Sequence, residues 1–322
     1  MLHVWSKLNR NASLAVAAMF VPTLYVVGTI AIAGFGGWAS VNAILTLGAL
    51  LGIASGGQTL VILLGGIDLS IPYVIDMADV VAAELHARGW PFVAIVCLVL
   101  GIALLVGFVN GFLASRLKVS PLIITFGIGL CVQGGVEVWT HGAPTGSAPA
   151  WLRTFVSPSA HTGFLPVAPI VLFWVGFAVA LLVLLSWTTL GRQIFAVGSN
   201  VRAARLALVK PVKVWTLSFG LSAVFAALCG IFFLGFTEAA LPTVGDPYLF
   251  LAIGAVVIGG TSLLGGKGGY GRTVIGAIVL TELTTILLGI GLPQSLEQVF
   301  LGMIIIIAVA IYGRDPHVRT RT

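Results

Sequence analysis

Ten apolar stretches follow one another along this chain, and most of its charged residues are pushed into the short segments between them. The stretches cover residues 13–35, 43–65, 69–85, 91–115, 120–140, 166–187, 214–236, 247–264, 273–289 and 294–312. A hydrocarbon core of about 30 Å needs about 20 predominantly apolar residues per helix. Only 8% of the residues are charged, against about 25% in soluble domains, and mean hydropathy is +1.13. So few charges cannot cover a soluble surface of this size. The expected fold is all-α: a polytopic membrane protein of about ten transmembrane helices, one domain over 1–322. The 41 glycines fit, because small residues let membrane helices approach closely. Lys7 and Arg10 precede 13–35 as in a signal peptide, but the stretch is too long and lacks a clear cleavage site. It reads as a retained first helix.

The basic residues orient the chain. With the N-terminus in the cytoplasm, the inside segments are 1–12, 66–68, 116–119, 188–213, 265–272 and 313–322. Fourteen of the 16 Lys and Arg then lie inside, and only Arg88 and Arg153 outside. An odd number of helices would scatter them, so the bias supports ten spans with both termini cytoplasmic. The net charge of +6 is read as membrane orientation. Lipid is the expected partner and nucleic acid is not.

The inside segment 188–213 is more than a connector. It holds Arg192, Arg202, Arg205, Lys210 and Lys213 in a pattern with helical periodicity. Gly191 and Arg192 can begin a short interfacial helix. Gly198-Ser199-Asn200 is a turn or cap signal. Arg202 and Arg205 share a helical face at i, i+3. The segment is either a docking surface or a set of positive-inside charges. Further along, Gly65, Gly66, Asp68 and Ser70 interrupt two apolar segments at what reads as the inner membrane edge. Paired glycines weaken a helix, and Asp68 or Ser70 can cap the third helix; a gate is the other reading. Gly259, Gly260, Thr261 and Ser262 end the eighth stretch in the same way. Gly265 to Gly269 reads as a flexible turn.

No catalytic, cofactor-binding or metal-binding constellation emerges. The only Gly-Lys, Gly266-Lys267, has Thr261 where a phosphate-binding loop requires its first glycine. Cys97, Cys131 and Cys229 fit no metal or disulfide spacing and read as buried small apolar residues. His141 and His161 lie on outside loops without ligand-like spacing. Nothing forms a nucleophile elbow.

Three motifs carry a family resemblance: LVILLGGIDLS over 60–70, TTLGRQIFAVGSNVRAARL over 188–206, and AVVIGGTSLLGGKGGYGRTVIGAIVL over 255–280. In this order they resemble the permease subunits of ATP-binding-cassette (ABC) importers for ribose and related sugars, in the group that includes branched-chain amino acid and nucleoside permeases. The resemblance covers about 43–312. It implies a type II-like permease in the bacterial inner membrane that is a transport subunit and not an enzyme. It also implies a second permease copy or a homologous permease, a cytoplasmic ABC ATPase that holds ATP and Mg²⁺, and a periplasmic solute-binding protein. The basic loop would be the coupling element, through Gly191, Arg192, Gly198, Ser199, Asn200, Arg202 and Arg205.

Six polar residues are candidates for a translocation path. Asp76 and Asp79 share one face of the third span, where the resembled sugar permeases carry small or apolar residues. Acids in lipid face a cavity, pair, or take up protons. Gln133 stands where many of those permeases carry Arg. With Glu137 and Trp139 it suits a hydroxylated solute. Glu282 lies in a stripe of threonines. For each, structural hydrogen bonding is the competing reading. These carboxylates also allow a different class, a proton-coupled secondary transporter. Within the ABC class, a nucleoside, autoinducer or branched-chain amino acid remains an alternative cargo.

Overall fold

The structure, a computed structural model, describes residues 19–117 and 119–312. The expected N-terminal segment 1–12, with Lys7 and Arg10, and tail 313–322, with Arg314, Arg319 and Arg321, lie outside the described residues, as do Lys118 and the start of the first span. The described residues form helices without strands. In order they are α1 (Met19–Ala31), α2 (Trp38–Leu63), α3 (Ile71–Ala87), α4 (Phe92–Arg116), α5 (Pro121–Thr140), α6 (Ala150–Val156), α7 (Pro169–Trp187), α8 (Thr189–Ser199), α9 (Val201–Leu206), α10 (Pro211–Thr237), α11 (Tyr248–Ile258), α12 (Tyr270–Gly289) and α13 (Gln294–Tyr312). Each of the ten expected stretches contains a helix. Helices α2, α4, α5, α7, α10 and α12 are long and apolar enough to cross a membrane.

Helix α10 is the central pillar and packs on α2, α3 and α4. Glycines set these approaches. A Cβ on Gly107 of α4 would lie 2.3 Å from the Phe219 carbonyl oxygen, and one on Gly111 would lie 2.6 Å from the Trp215 carbonyl oxygen. On the other side, a Cβ on Gly230 of α10 would meet the Ile75 carbonyl oxygen of α3 at 2.2 Å. The backbones touch where no side chain intervenes, as small residues permit between membrane helices.

Two expected spans are broken. The third does not begin at a membrane edge. After α2 the chain turns at Gly65, in the left-handed region at φ +83°, and runs back between the helices. Asp68 then reaches Ser222, which lies 11 residues into α10, about 17 Å at 1.5 Å per residue. The Asp68 Oδ2 atom accepts from Ser222 Oγ at 2.8 Å, and Oδ1 accepts from Ser70 N and Ser70 Oγ at 3.0 and 2.6 Å. Asn110 Nδ2 of α4 donates to Ser70 Oγ at 2.9 Å. The backbone of this non-helical segment is answered by side chains. The Asp68 amide donates to Gln58 Oε1 at 3.3 Å and the Leu69 amide to Thr125 Oγ1 at 2.9 Å. The edge placement and capping role expected for Asp68 and Ser70 are therefore corrected. Ser70 occupies the N-cap position of α3 without a side-chain capping bond, and Asp68 joins the start of α3 to mid-height of α10. Residues 66–68 are not an exposed inside loop.

The eighth stretch is also shorter than expected. Helix α11 ends at Ile258 after 11 residues, about 17 Å and half a bilayer core. Its N-terminal approach, 238–247, folds in alongside α3. Asp79 Oδ2 accepts from the Leu241 amide and Asp76 Oδ1 from the Gly245 amide, each at 2.7 Å. These carboxylates lie five and eight residues below Glu84 in α3, about 8 and 12 Å deeper. Glu84 itself accepts from the amide and hydroxyl of Thr145 at 2.6 and 2.9 Å, clamping the other long loop. A bridge between Ser147 and Ala239 joins the two loops.

The cysteine expectation holds for one residue of three: Cys229 is buried, whereas Cys97 and Cys131 are exposed on α4 and α5. Apolar runs in a membrane chain face lipid as readily as core, so the pattern could not separate them.

Overpacking of a closed helix contact costs about 1–3 kcal/mol. Gly107→Val is therefore expected to lower the melting temperature of the detergent-solubilised chain. Gly127→Ala, at a site where an added Cβ meets nothing within 4 Å, is expected to leave it unchanged. Equal melting of the two variants would contradict the packing described.

Candidate functional site

The three sequence motifs converge at one end of the bundle, which also carries most of the described basic residues. The chain leaves α7 through Thr188, whose Oγ1 donates to the Leu184 carbonyl at 2.6 Å and accepts from the Gly191 amide at 3.1 Å. That hydroxyl is the N-cap of α8. Gly191 is buried where a Cβ would sit 2.3 Å from the Leu184 carbonyl oxygen, so α8 folds back against the end of α7. Asn200 ends α8 and starts α9. Its Oδ1 accepts from the Arg202 and Ala203 amides at 2.9 and 3.1 Å. The turn-and-cap expectation for Gly198-Ser199-Asn200 is met with Asn200 as the capping side chain. Beyond it Ala204 is buried, and Arg202 and Arg205 are exposed. Leu206 and Leu208 are 86% and 90% exposed, so α9 and the turn after it present a mixed basic and apolar surface.

Beneath this surface lies a glycine floor. The Gly266 amide donates to the Leu63 carbonyl at 2.8 Å. A Cβ on Gly198 would lie 1.9 Å from that same oxygen and 2.8 Å from the Gly266 nitrogen. Gly198 is thus a packing position that lets α8 rest on the end of α2. Gly265 and Gly266 adopt φ of +82° and +70° and hold this contact, so the segment read as a flexible turn is packed. Thr261 Oγ1 accepts from the Gly269 amide at 3.3 Å and the Ser262 amide donates to the Lys267 carbonyl at 2.9 Å, closing the turn.

The paired glycines have matching geometry. Gly65 and Gly260 both lie at φ +83°. The Gly66 amide bonds Val61 O and the Thr261 amide bonds Val256 O, each at 3.1 Å. Both are Schellman closures with glycine in the left-handed position, preceded by Leu64 in one case and Gly259 in the other.

The opposite end carries Arg88 and Arg153, each beside a carboxylate: Glu84 at 3.3 Å and Glu238 at 3.2 Å. The Arg88 guanidinium also lies 4.8 Å from the centre of the Trp139 ring.

The six path candidates fall into three places. Asp76 and Asp79 are spent on the 238–247 backbone, with Asp76 Oδ2 and Asp79 Oδ1 buried and unpartnered. Gln133 and Glu137 share one face of α5, whereas Trp139, two residues on, lies on another side beneath Arg88; Gln133 is half-buried, the other two exposed. Glu282 is buried in α12 with Oε2 unpartnered. No hydrogen bond or ion pair links any two of the six. Sequence reasoning missed Gln58, Asn110, Thr125 and Ser222, which hold the Asp68 segment, and Glu84. Their only signal was a polar residue in an apolar run.

The described residues form a bundle of apolar helices, two of them interrupted at depth, with a folded surface at the basic end. The family model described as the permease component of branched-chain amino acid transport systems matches residues 40–309, and the chain belongs to that family. It is similar to the ribose import permease protein RbsC of Haemophilus influenzae, at 33% identity over 84% of this chain and 81% of the relative. It is also similar to the fructose import permease protein FrcC of Rhizobium meliloti, at 34% over 82% and 74%. The autoinducer 2 import system permease protein LsrC of Shigella flexneri is 31% identical over 80% and 74%. No solved structure matches. The chain is a transport component and not an enzyme.

A hydrogen bond contributes about 0.5–1.5 kcal/mol net, and two of them hold this loop to α3. Asp76→Ala with Asp79→Ala is expected to raise the labelling rate of a cysteine introduced at Thr243 by about tenfold or more. Asp76→Asn with Asp79→Asn, which keeps an acceptor at each position, is expected to preserve protection. Unchanged labelling in the alanine pair would remove the anchoring role.

Proposed function

We infer that this chain is the membrane permease subunit of an ABC importer and carries a monosaccharide or related small polar solute. The carrying observation is the convergence of the three motifs at the basic end, where exposed Arg202 and Arg205 stand above a floor shared by α2, α8 and the turn before α12. The names of the ribose and fructose import relatives support the sugar class. The autoinducer relative keeps that cargo as the second choice, ahead of a nucleoside or a branched-chain amino acid. The basic end faces the cytoplasm, with both termini there, as the positive-inside bias supports.

In this reading a cytoplasmic ABC ATPase holds ATP and Mg²⁺ and docks on α9. The chain itself binds no cofactor. A periplasmic solute-binding protein delivers the solute to the opposite end. A second permease copy, or a homologous permease, faces the open side of α5, and Gln133 and Glu137 line the path between the two. Movement of α8 passes through Gly198 and the Leu63–Gly266 bond into α2, which runs the height of the bundle. The competing proton-coupled mechanism has its best support in Glu282. Asp76 and Asp79 serve it less well, because each holds a backbone amide.

Like charges brought together across an interface cost several kcal/mol. Arg202→Glu with Arg205→Glu is therefore expected to lower solute uptake per ATP hydrolysed about tenfold or more in proteoliposomes containing the ATPase and binding protein. Wild-type coupling in this variant would remove the docking role. Uptake by the chain alone, driven by a proton gradient, would reject the ABC reading.

A further inference from the structure

Helix α9 ends in a closure that this chain builds with glycine at four other helix ends. The Val209 amide donates to the Ala204 carbonyl and the Leu208 amide to the Arg205 carbonyl, each at 3.0 Å. This pair of bonds is a Schellman closure, and it puts Leu208 in the left-handed region at φ +60°. The same paired bonds follow α2, α3, α11 and α12, where the left-handed residue is Gly65, Gly89, Gly260 or Gly291, at φ between +79° and +83°. Among the described residues, three other than glycine have positive φ: His141, Leu208 and Glu238. Leu208 is the one with an apolar side chain. A Cβ in this region crowds the backbone, and leucine lacks the short polar side chain that lets Asn, Asp or His settle there.

Leu208 is unfavourable on a second count. Its side chain is 90% exposed, so no packing within the chain offsets the crowding. Leu206, the last residue of α9, is exposed two residues earlier. Residues held in sparsely populated backbone conformations cluster where a ligand or partner is gripped. The surroundings indicate the partner. Arg202, Arg205, Lys210 and Lys213 are all exposed, and residues 138–237 contain no Asp or Glu. Two exposed leucines among these cations match a surface with an apolar pocket and an acidic rim. Arg205 and Lys210 keep their charged heads in water and bracket Leu208 in sequence, which favours a water-soluble protein over the hydrocarbon.

We propose that Leu208 is the apolar anchor by which α9 holds the ABC ATPase, seated with Leu206 in an apolar pocket of that protein. The proposal rests on the docking inferred above. The left-handed backbone fixes the direction of the side chain before the partner arrives, which lowers the ordering cost of binding.

Affinity for the ABC ATPase that supports uptake, measured with the full chain in nanodiscs, tests this. Leu208→Gly installs the residue used at the other four closures. It is expected to weaken ATPase binding about tenfold without lowering the melting temperature. Leu208→Asn, which also tolerates left-handed backbone, is expected to lose as much. Leu208→Met, which keeps an apolar side chain, is expected to bind within about threefold of the wild type. Wild-type affinity in Leu208→Gly, with affinity lost in Arg202→Glu with Arg205→Glu, overturns the anchor and leaves the docking of α9 standing. Wild-type affinity in every variant removes the docking and the anchor together. Lower melting temperatures in both Leu208→Gly and Leu208→Asn would assign the leucine to the fold and overturn the proposal. A bimane fluorophore on Leu208→Cys, with Cys97→Ser and Cys131→Ser, separates protein from lipid. Its emission is expected to shift to the blue when the ATPase is added. Blue emission before the ATPase, unchanged by it, would place Leu208 in the membrane and overturn the proposal.

Discussion

Backbone amides that leave a helix inside an apolar bundle have no water to bond, and each one left unpartnered costs several kcal/mol. This protein breaks its helices twice at depth, and side chains meet the need at each break. Gln58, Asp68 and Thr125 receive the amides of Asp68, Ser70 and Leu69. Asp79 and Asp76 receive those of Leu241 and Gly245. Five polar side chains in a chain with 8% charged residues therefore decide where α3 and α11 begin. Remove them and the breaks would have to close or move to the surface.

The breaks shape the two ends differently. At the end carrying Glu84, the carboxylates of α3 form a ladder of three, Asp76, Asp79 and Glu84, that binds two long loops to one helix. At the basic end the contacts are made by glycines. Gly198 against Leu63, Gly191 against Leu184, and Gly266 bonded to Leu63 bring backbones together without intervening side chains. Close-packed contacts of this kind transmit displacement because they cannot compress. Gly198 thus seats α8 directly on the end of α2, while Arg202 and Arg205 of α9 stay exposed.

Much of this was legible in the chain. Helix-length apolar runs placed the helices, and the Asn200 cap and the convergent glycine motifs were visible as local chemistry. What was not legible shares one cause. Asp68 was read as a cap at a membrane edge because a Gly-Gly-x-Asp pattern ordinarily marks the end of a helix and the start of the next. Nothing local says that the chain then turns inward to Ser222, 154 residues away in sequence. Asp76 and Asp79 were candidates for a solute path because an acid in an apolar helix is costly wherever its partner is unknown. The partners are amides, which every residue but proline carries, so no side-chain pattern announces them.

Hydropathy and charge, being local sums over a window of residues, determined that this is an all-helical membrane protein, which end is basic, and where its turns are rich in glycine. Tertiary structure alone decided which interruptions lie inside the bundle and which carboxylates are spent on backbone. Those outcomes depend on pairing between groups far apart in sequence, and the strength of a buried polar contact is set by what meets it and not by the residue alone.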